Sequence, residues 1–177
     1  MTLGMYLEMV IIGIPLTAEV VSLLTIPEMS ERHHLHHDTY SISQVIPRTL
    51  LLVMSFMGIL GGLTGWLCHL GVFTSDPLVP LAFFVAFQVS IFLVFIALNR
   101  CRVMAYGDRM FVRTWFWRQR EVPYDQIVRM ERKAFPIDPQ FSDLFISLAD
   151  GRKVLVSGLL DVGQILLRID RFDVLLG

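Results

Sequence analysis

The chain has 177 residues, 54% of them hydrophobic and 18% charged, with a mean hydropathy of +0.60, which is too apolar for an ordinary soluble domain. The net charge of −1 averages two unlike halves. Between Thr49 and Asn99 the only charged side chain is Asp76, whereas 13 of the 15 Lys and Arg residues lie from Arg100 onward, against 10 acids, a net of about +3 there.

Residues 1–99 read as a transmembrane region. The first apolar run, about 3–26, exceeds the roughly 20 helical residues that span a bilayer core at 1.5 Å per residue. Glu8, Pro15 and Glu19 interrupt it, so a membrane span and an interfacial or partly buried helix both remain open. A cleaved signal peptide does not fit, because no positively charged segment precedes the run.

Residues 27–48 form a connector with a conspicuous local chemistry, "ERHHLHHD", from Glu31 to Asp38. The plainest reading is a solvated juxtamembrane segment whose partly protonated imidazoles add positive charge. On a helix, His33 with His36 or His37 would share a face at a spacing used by zinc ligands, with His34 adjacent and Glu31 or Asp38 as oxygen donors. No further motif completes such a site, so no cofactor is expected.

Two stronger spans follow, 49–73 and 78–98, separated by "TSDP" and therefore expected to form an antiparallel hairpin. The first contains two interleaved small-residue pairs, Gly58 with Gly62 and Gly61 with Gly65. Glycines four apart let helix backbones approach closely, within the chain or in a second copy. Glu19 and Gln88 are expected at membrane depth, where a neutral Glu19 bonded to Gln88 or to a neighbouring helix is a sufficient structural account. Glu8 and His69 are expected near the outer side, with Cys68 and Cys101 on opposite faces and unable to pair. Arg32 and Arg48 flank the connector and Arg100, Arg102 and Arg109 follow the last span, while the 74–77 turn has no base. The positive-inside rule then predicts a cytoplasmic C-terminal half.

Residues 100–177 read as short strands: 102–106, 109–117, 120–123, 127–133, 142–149 and 152–156, with Asp150-Gly151 as a hairpin turn. Leu159, Val162, Ile165, Leu166, Ile169 and Phe172 then recur at helical spacing, with Ser157 as the expected cap. The elements "RVMAYGDRMFVRTWFW", "RQR", "REVPYDQIVRMER" and "ADGRKVLV", closed by a helix, resemble the bacterial pleckstrin-homology-like domains that follow transmembrane hairpins in small membrane proteins. In that pattern "VPYDQI" is a strand ending in Pro, a short turn and an Ile entering the next strand. The resemblance covers about residues 100–174. It implies an α+β membrane protein whose curved sheet or split barrel is closed by one C-terminal helix, and it offers no catalytic residues.

The absence of a nucleophile elbow, P-loop, dinucleotide fingerprint or paired metal motif argues against an enzyme. Trp115, Trp117 and Arg118 would suit a membrane-interface anchor, or would fill the sheet core. Phe135 and Phe141, in a proline-rich loop, either tuck into that core or form a contact patch. The expected function is that of a non-enzymatic accessory or scaffold protein of the bacterial inner membrane. It would bind the lipid bilayer and a protein partner, or self-associate, without nucleic acid or an identifiable small-molecule substrate. The alternative is a small transporter or channel-like subunit using Glu19 and the Gly58–Gly65 patch.

Overall fold

The structure, a computed structural model, describes residues 2–25, 38–72, 76–114, 119–135 and 141–176. It divides into two compact units, Met1–Ile26 with Gln44–Ile96 and Pro27–Ser43 with Ala97–Gly177.

The first unit is helical. Helix α1, Leu3–Thr25, continues through Pro15, whose missing N–H leaves the Ile11 carbonyl without its usual partner one turn on. Helix α2 covers Val45–His69 rather than 49–73, so it both starts and ends four residues before the apolar run. It starts early because Pro47 lies in the first turn, where a missing N–H costs nothing. It stops early because Gly71 adopts φ +70°, a left-handed conformation that glycine takes without steric cost. There the Gly71 N–H donates to the Cys68 carbonyl at 3.0 Å and the Val72 N–H to the Leu67 carbonyl at 3.1 Å, which closes the helix end. Helix α3, Leu78–Arg100, opens with the Leu78 N–H donating to the Asp76 carboxylate at 3.0 Å. All three helices are long and apolar enough to cross a membrane.

The second unit contains two four-stranded sheets. The first has the order β1-β2-β3-β4, all antiparallel: β1 Asp38–Ser41, β2 Arg102–Ala105, β3 Arg109–Arg113 and β4 Gln119–Pro123. The second runs β7-β6-β5-β8, with β5 Ile127–Ala134, β6 Ser142–Leu148, β7 Lys153–Val156 and a two-residue β8, Leu175–Leu176, added parallel to β5. Alternate residues point inward, as a strand with one buried face requires. Val103, Met110, Val112, Val122, Met130, Leu144, Ile146 and Val156 are all at or below 1% exposure. Helix α4, Val162–Ile169, buries Val162, Ile165, Leu166 and Ile169 and packs on β6.

Three expectations change here. Asp38–Ser41 is a strand paired with β2, not open connector, because Thr39 and Ser41 alternate outward while the backbone completes the sheet edge. The second expected strand, 109–117, ends at Arg113. The closing helix is also shorter than 159–172: its cap is Asp161, not Ser157, and its carboxylate accepts from the Gln164 N–H at 3.0 Å. Its other end is set by Asp170 at φ 51°, which turns Phe172 into a separate 3-10 turn, Phe172–Val174. By contrast, the "VPYDQI" segment forms as expected, with β4 ending at Pro123, a 3-10 turn at Tyr124–Gln126 and β5 starting at Ile127.

Candidate functional site

In the helical unit three glycines of α2 are interior. Gly58, Gly61 and Gly65 are buried at spacings of three and four, so they share one face of α2. A Cβ on Gly58 would meet Pro15 at 3.1 Å and Gln88 at 3.3 Å; on Gly61 it would meet Ile11 at 2.8 Å and Phe84 at 3.0 Å. On Gly65 it would meet the Glu8 carboxylate at 2.5 Å. Gly62 faces open space. Small residues here let α1 and α3 close on α2, the packing mode of helices that have no hydrophobic drive between them.

Two polar contacts accompany this packing. Glu8 Oε1 lies 3.0 Å from His69 Nε2, so α1 and the end of α2 are joined by the pair that sequence position puts on one side. Gln88, fully buried, donates from Nε2 to the Met54 carbonyl at 2.7 Å, and among the described residues its Oε1 has no partner. The expected Glu19–Gln88 bond is therefore absent: Glu19 sits on an exposed stretch of α1, and Met54 takes the Gln88 amide instead.

In the sheet unit the outward face of β5–β6–β7 carries an unusual set of side chains. Cross-strand register places Glu131 opposite Phe145, Arg129 opposite Ser147, Lys133 opposite Asp143 and Phe145 opposite Leu155. The hairpin continues one residue further, where the Phe135 N–H donates to the Phe141 carbonyl at 2.9 Å. Phe135, Phe141, Phe145 and Leu155 are 38%, 41%, 37% and 42% exposed, so neither of the two expected contact rings is tucked into the core. Arg129, Lys133 and Lys153 frame them, and a depression of about 220 Å³ lies among these residues. Phe145 and Leu155 are not apparent from composition; the signal for them is the Asp150-Gly151 turn, which fixes the register of β6 on β7.

Two arginines near the end of the chain have structural roles. Arg171 donates to the Tyr124 carbonyl at 2.8 Å and to the Asp173 carboxylate at 2.9 Å, holding the 3-10 turn of "VPYDQI" from the far end of the chain. Arg168 pairs with Asp38 at 3.0 Å, so the aspartate considered as a metal donor is engaged with β1's own unit. Beside them Tyr124 is buried with an unpartnered hydroxyl, and burial pushes its pKa up to about 12. Burial likewise raises the Cys101 thiol, and Cys68 and Cys101 are both free.

Residues His33, His34, His36 and His37 lie outside the described residues, as do Trp115, Trp117 and Arg118. Among the described residues no group of three or more His, Cys, Asp or Glu side chains is placed to hold a metal ion. Comparison of the chain with protein-family models, with curated proteins and with solved structures finds no match in any of the three.

Proposed function

We propose that this is a non-enzymatic, multi-pass protein of the bacterial inner membrane that carries a pleckstrin-homology-like unit on the cytoplasmic side and docks another protein there. The observation that carries the docking reading is the row of two exposed apolar pairs, Phe135 with Phe141 and Phe145 with Leu155, on one sheet face. Sheet faces that remain in water normally alternate polar side chains outward, and aromatic rings flanked by Arg129, Lys133 and Lys153 with Glu131 and Asp143 among them suit a partner with an apolar anchor and a charged rim.

The membrane reading rests on the three long apolar helices, whose outward faces are Leu, Ile, Val and Phe. The cytoplasmic assignment rests on Arg48, Arg100 and Arg102 standing beside the helix ends opposite a base-free turn. The likeness to pleckstrin-homology-like domains is supported by the strand order, the "VPYDQI" turn and the closing helix. The transport reading draws less support, since Gly58, Gly61 and Gly65 are taken up in packing and Glu19 does not face Gln88.

The test uses full-length protein carrying Phe135→Ser with Phe141→Ser. Affinity capture in mild detergent should recover a specific protein with the wild type and lose it with the variant, while the melting transition stays cooperative. A variant that still captures the same protein overturns the docking face. Labelling of Gly107→Cys from the inner side alone, and of Asp76→Cys from the outer side alone, tests the orientation.

A further inference from the structure

Pro15, Gly58 and Gln88 each fall near the middle of their helix, α1, α2 and α3 respectively. They also meet there. A Cβ on Gly58 would lie 3.1 Å from Pro15 Cγ, 3.3 Å from Gln88 Nε2 and 3.4 Å from the Ile11 carbonyl oxygen. The glycine thus leaves a notch on which a proline ring, a side-chain amide and a backbone carbonyl converge. Ile11, Met54 and Gln88 are all fully buried, so the notch is closed to its surroundings.

The polar groups at this point are short of donors. Pro15 has no N–H, so the Ile11 carbonyl lacks the proton that residue 15 of an unbroken helix would bring to it. Gln88 gives one Nε2 proton to the Met54 carbonyl at 2.7 Å, and its Oε1 has no partner among the described residues. Two acceptors therefore remain, where burial makes each one costly unless a proton reaches it. The hydroxyls of Thr17, Thr64 and Ser90 do not serve them, because each donates to a carbonyl one turn back in its own helix, Gly13, Leu60 and Ala86. In a helix that crosses a bilayer, the middle is also the level farthest from bulk solvent, and a proline there persists when an internal donor makes good the lost proton.

The missing donor has to be small, neutral and able to give two protons. A cation is a poor fit, since it needs several oxygens, and no carboxylate is among the groups nearest the notch. Water meets all three requirements, and internal waters are typically held by two to four polar groups that the chain leaves unsatisfied.

We infer that the Gly58 notch is a binding site for a single internal water molecule, which donates one proton to Gln88 Oε1 and the other to the Ile11 carbonyl. Gly58 supplies the room, Pro15 frees the carbonyl and Gln88 presents the amide, so residues from all three helices are joined through one solvent molecule. The inference rests on neither the docking face nor the orientation across the membrane, because the notch lies within the helical unit. Holding the water costs entropy that offsets part of its hydrogen bonding, so its presence is read directly rather than through stability.

The experiment is nuclear magnetic resonance on the full-length protein in mild detergent, with isotope-labelled glutamine side-chain amides. It measures cross-relaxation between water protons and the Gln88 Nε2 protons, whose signal is identified by its loss in Gln88→Leu. The wild type should give a cross-peak with the sign of a long-lived bound water. Gly58→Ala, which puts a methyl group between the amide and the carbonyl, should abolish it. Pro15→Ala returns a backbone proton to the Ile11 carbonyl and removes one of the two acceptors, so it should lose most of the intensity. Because Pro15→Ala replaces a helix breaker by the best helix former, it keeps the test decisive where Gly58→Ala packs poorly. Gly62→Ala, whose Cβ meets nothing within 4 Å, should keep the cross-peak in full. The inference is overturned by a wild type with no cross-peak or one with the sign of freely exchanging solvent, and by full intensity in Gly58→Ala or Pro15→Ala. Loss of the cross-peak in Gly62→Ala would trace it to general packing and overturn the inference as well.

Discussion

The two units of this chain are built inside out with respect to each other. In the sheet unit the interior is built of large aliphatic side chains, with Met110, Met130, Leu144, Ile146 and Ile165 fully buried. In the helical unit Leu52, Phe56, Ile59, Leu63 and Trp66 of α2 point outward, and glycines take most of the buried positions of that helix. Apolar burial drives the sheet unit, at about 25 cal/mol per Å² removed from water. The helical unit keeps its apolar surface outward and gains from close backbone approach, as helices do in a solvent that is itself apolar. The composition of each core therefore reports which solvent its unit is built for.

The sharpest way to break this contrast is to delete methylenes on either side of it. Ile146→Ala, in the sheet core, is expected to cost about 3 kcal/mol, seen as a large drop in the melting temperature of the purified protein. Leu52→Ala, 70% exposed on α2, should change detergent-solubilised stability by no more than about 0.5 kcal/mol. Equal losses would erase the distinction.

Adding a single methyl group sharpens it. A Cβ on Gly158 would lie 2.7–2.8 Å from three backbone atoms of Ser142, which cannot swing aside, so Gly158→Ala is expected to cost about 2–3 kcal/mol in urea unfolding. On Gly61 the obstacles are the side chains of Ile11 and Phe84, which can shift, and about 1–2 kcal/mol is expected. Gly62→Ala meets nothing within 4 Å and should be neutral or slightly stabilising.

Polar replacement separates the units further. Gln88→Leu removes one hydrogen bond to Met54 but also removes a buried Oε1 that has no partner among the described residues, so thermal stability should move by less than about 1 kcal/mol. A loss of several kcal/mol would mean that another residue of the folded protein bonds the Gln88 carbonyl. The smallest effect belongs to the sheet-unit surface. Hydrogen bonds from Arg109 to Asp108, from the Arg152 backbone to Asp150 and from Arg171 to Asp173 hold these carboxyl groups below the usual carboxylate range. Their contribution is thus complete above the unfolded value of about 3.8 and declines as pH falls through the lower folded values. A pH titration of melting temperature should show a shallow decline confined to the acid side of about pH 4, and a midpoint near neutrality would refute this assignment.

Periodicity and turn chemistry made much of the sheet unit legible. Asp150-Gly151, Pro123 and the inward alternation of β2 and β6 are local signals, and they mark those strands to within a residue or two, whereas β3 ends four residues before its expected end. The closing helix was misjudged because Leu159 and Phe172 continue its apolar spacing while Asp161 and Asp170 set its real ends. β1 was hidden for a different reason. Asp38–Ser41 has four residues and no apolar alternation, and only its long-range partner on β2 makes it a strand. The Phe145–Leu155 pair follows from the Asp150-Gly151 hairpin, whereas the hydrogen bond from Arg120 of β4 to the Lys153 carbonyl of β7 depends on sheet-to-sheet placement, which no local window contains.

The pairing of β1 with β2 has a consequence for how the chain is made. These strands lie on either side of α2 and α3 in sequence, so the helical hairpin is itself the loop that must close before the first sheet can form. During synthesis Asp38–Ser41 emerges well before its partner and waits with an unpaired edge until both helices have left the ribosome. When both helices cross a bilayer, the two strands end on the same side and join. When only one crosses, they are stranded on opposite sides and the sheet lacks its edge. For a chain whose α2 and α3 cross a bilayer, completing the first sheet therefore requires both crossings, and failure of either leaves the β2 edge that β1 covers open.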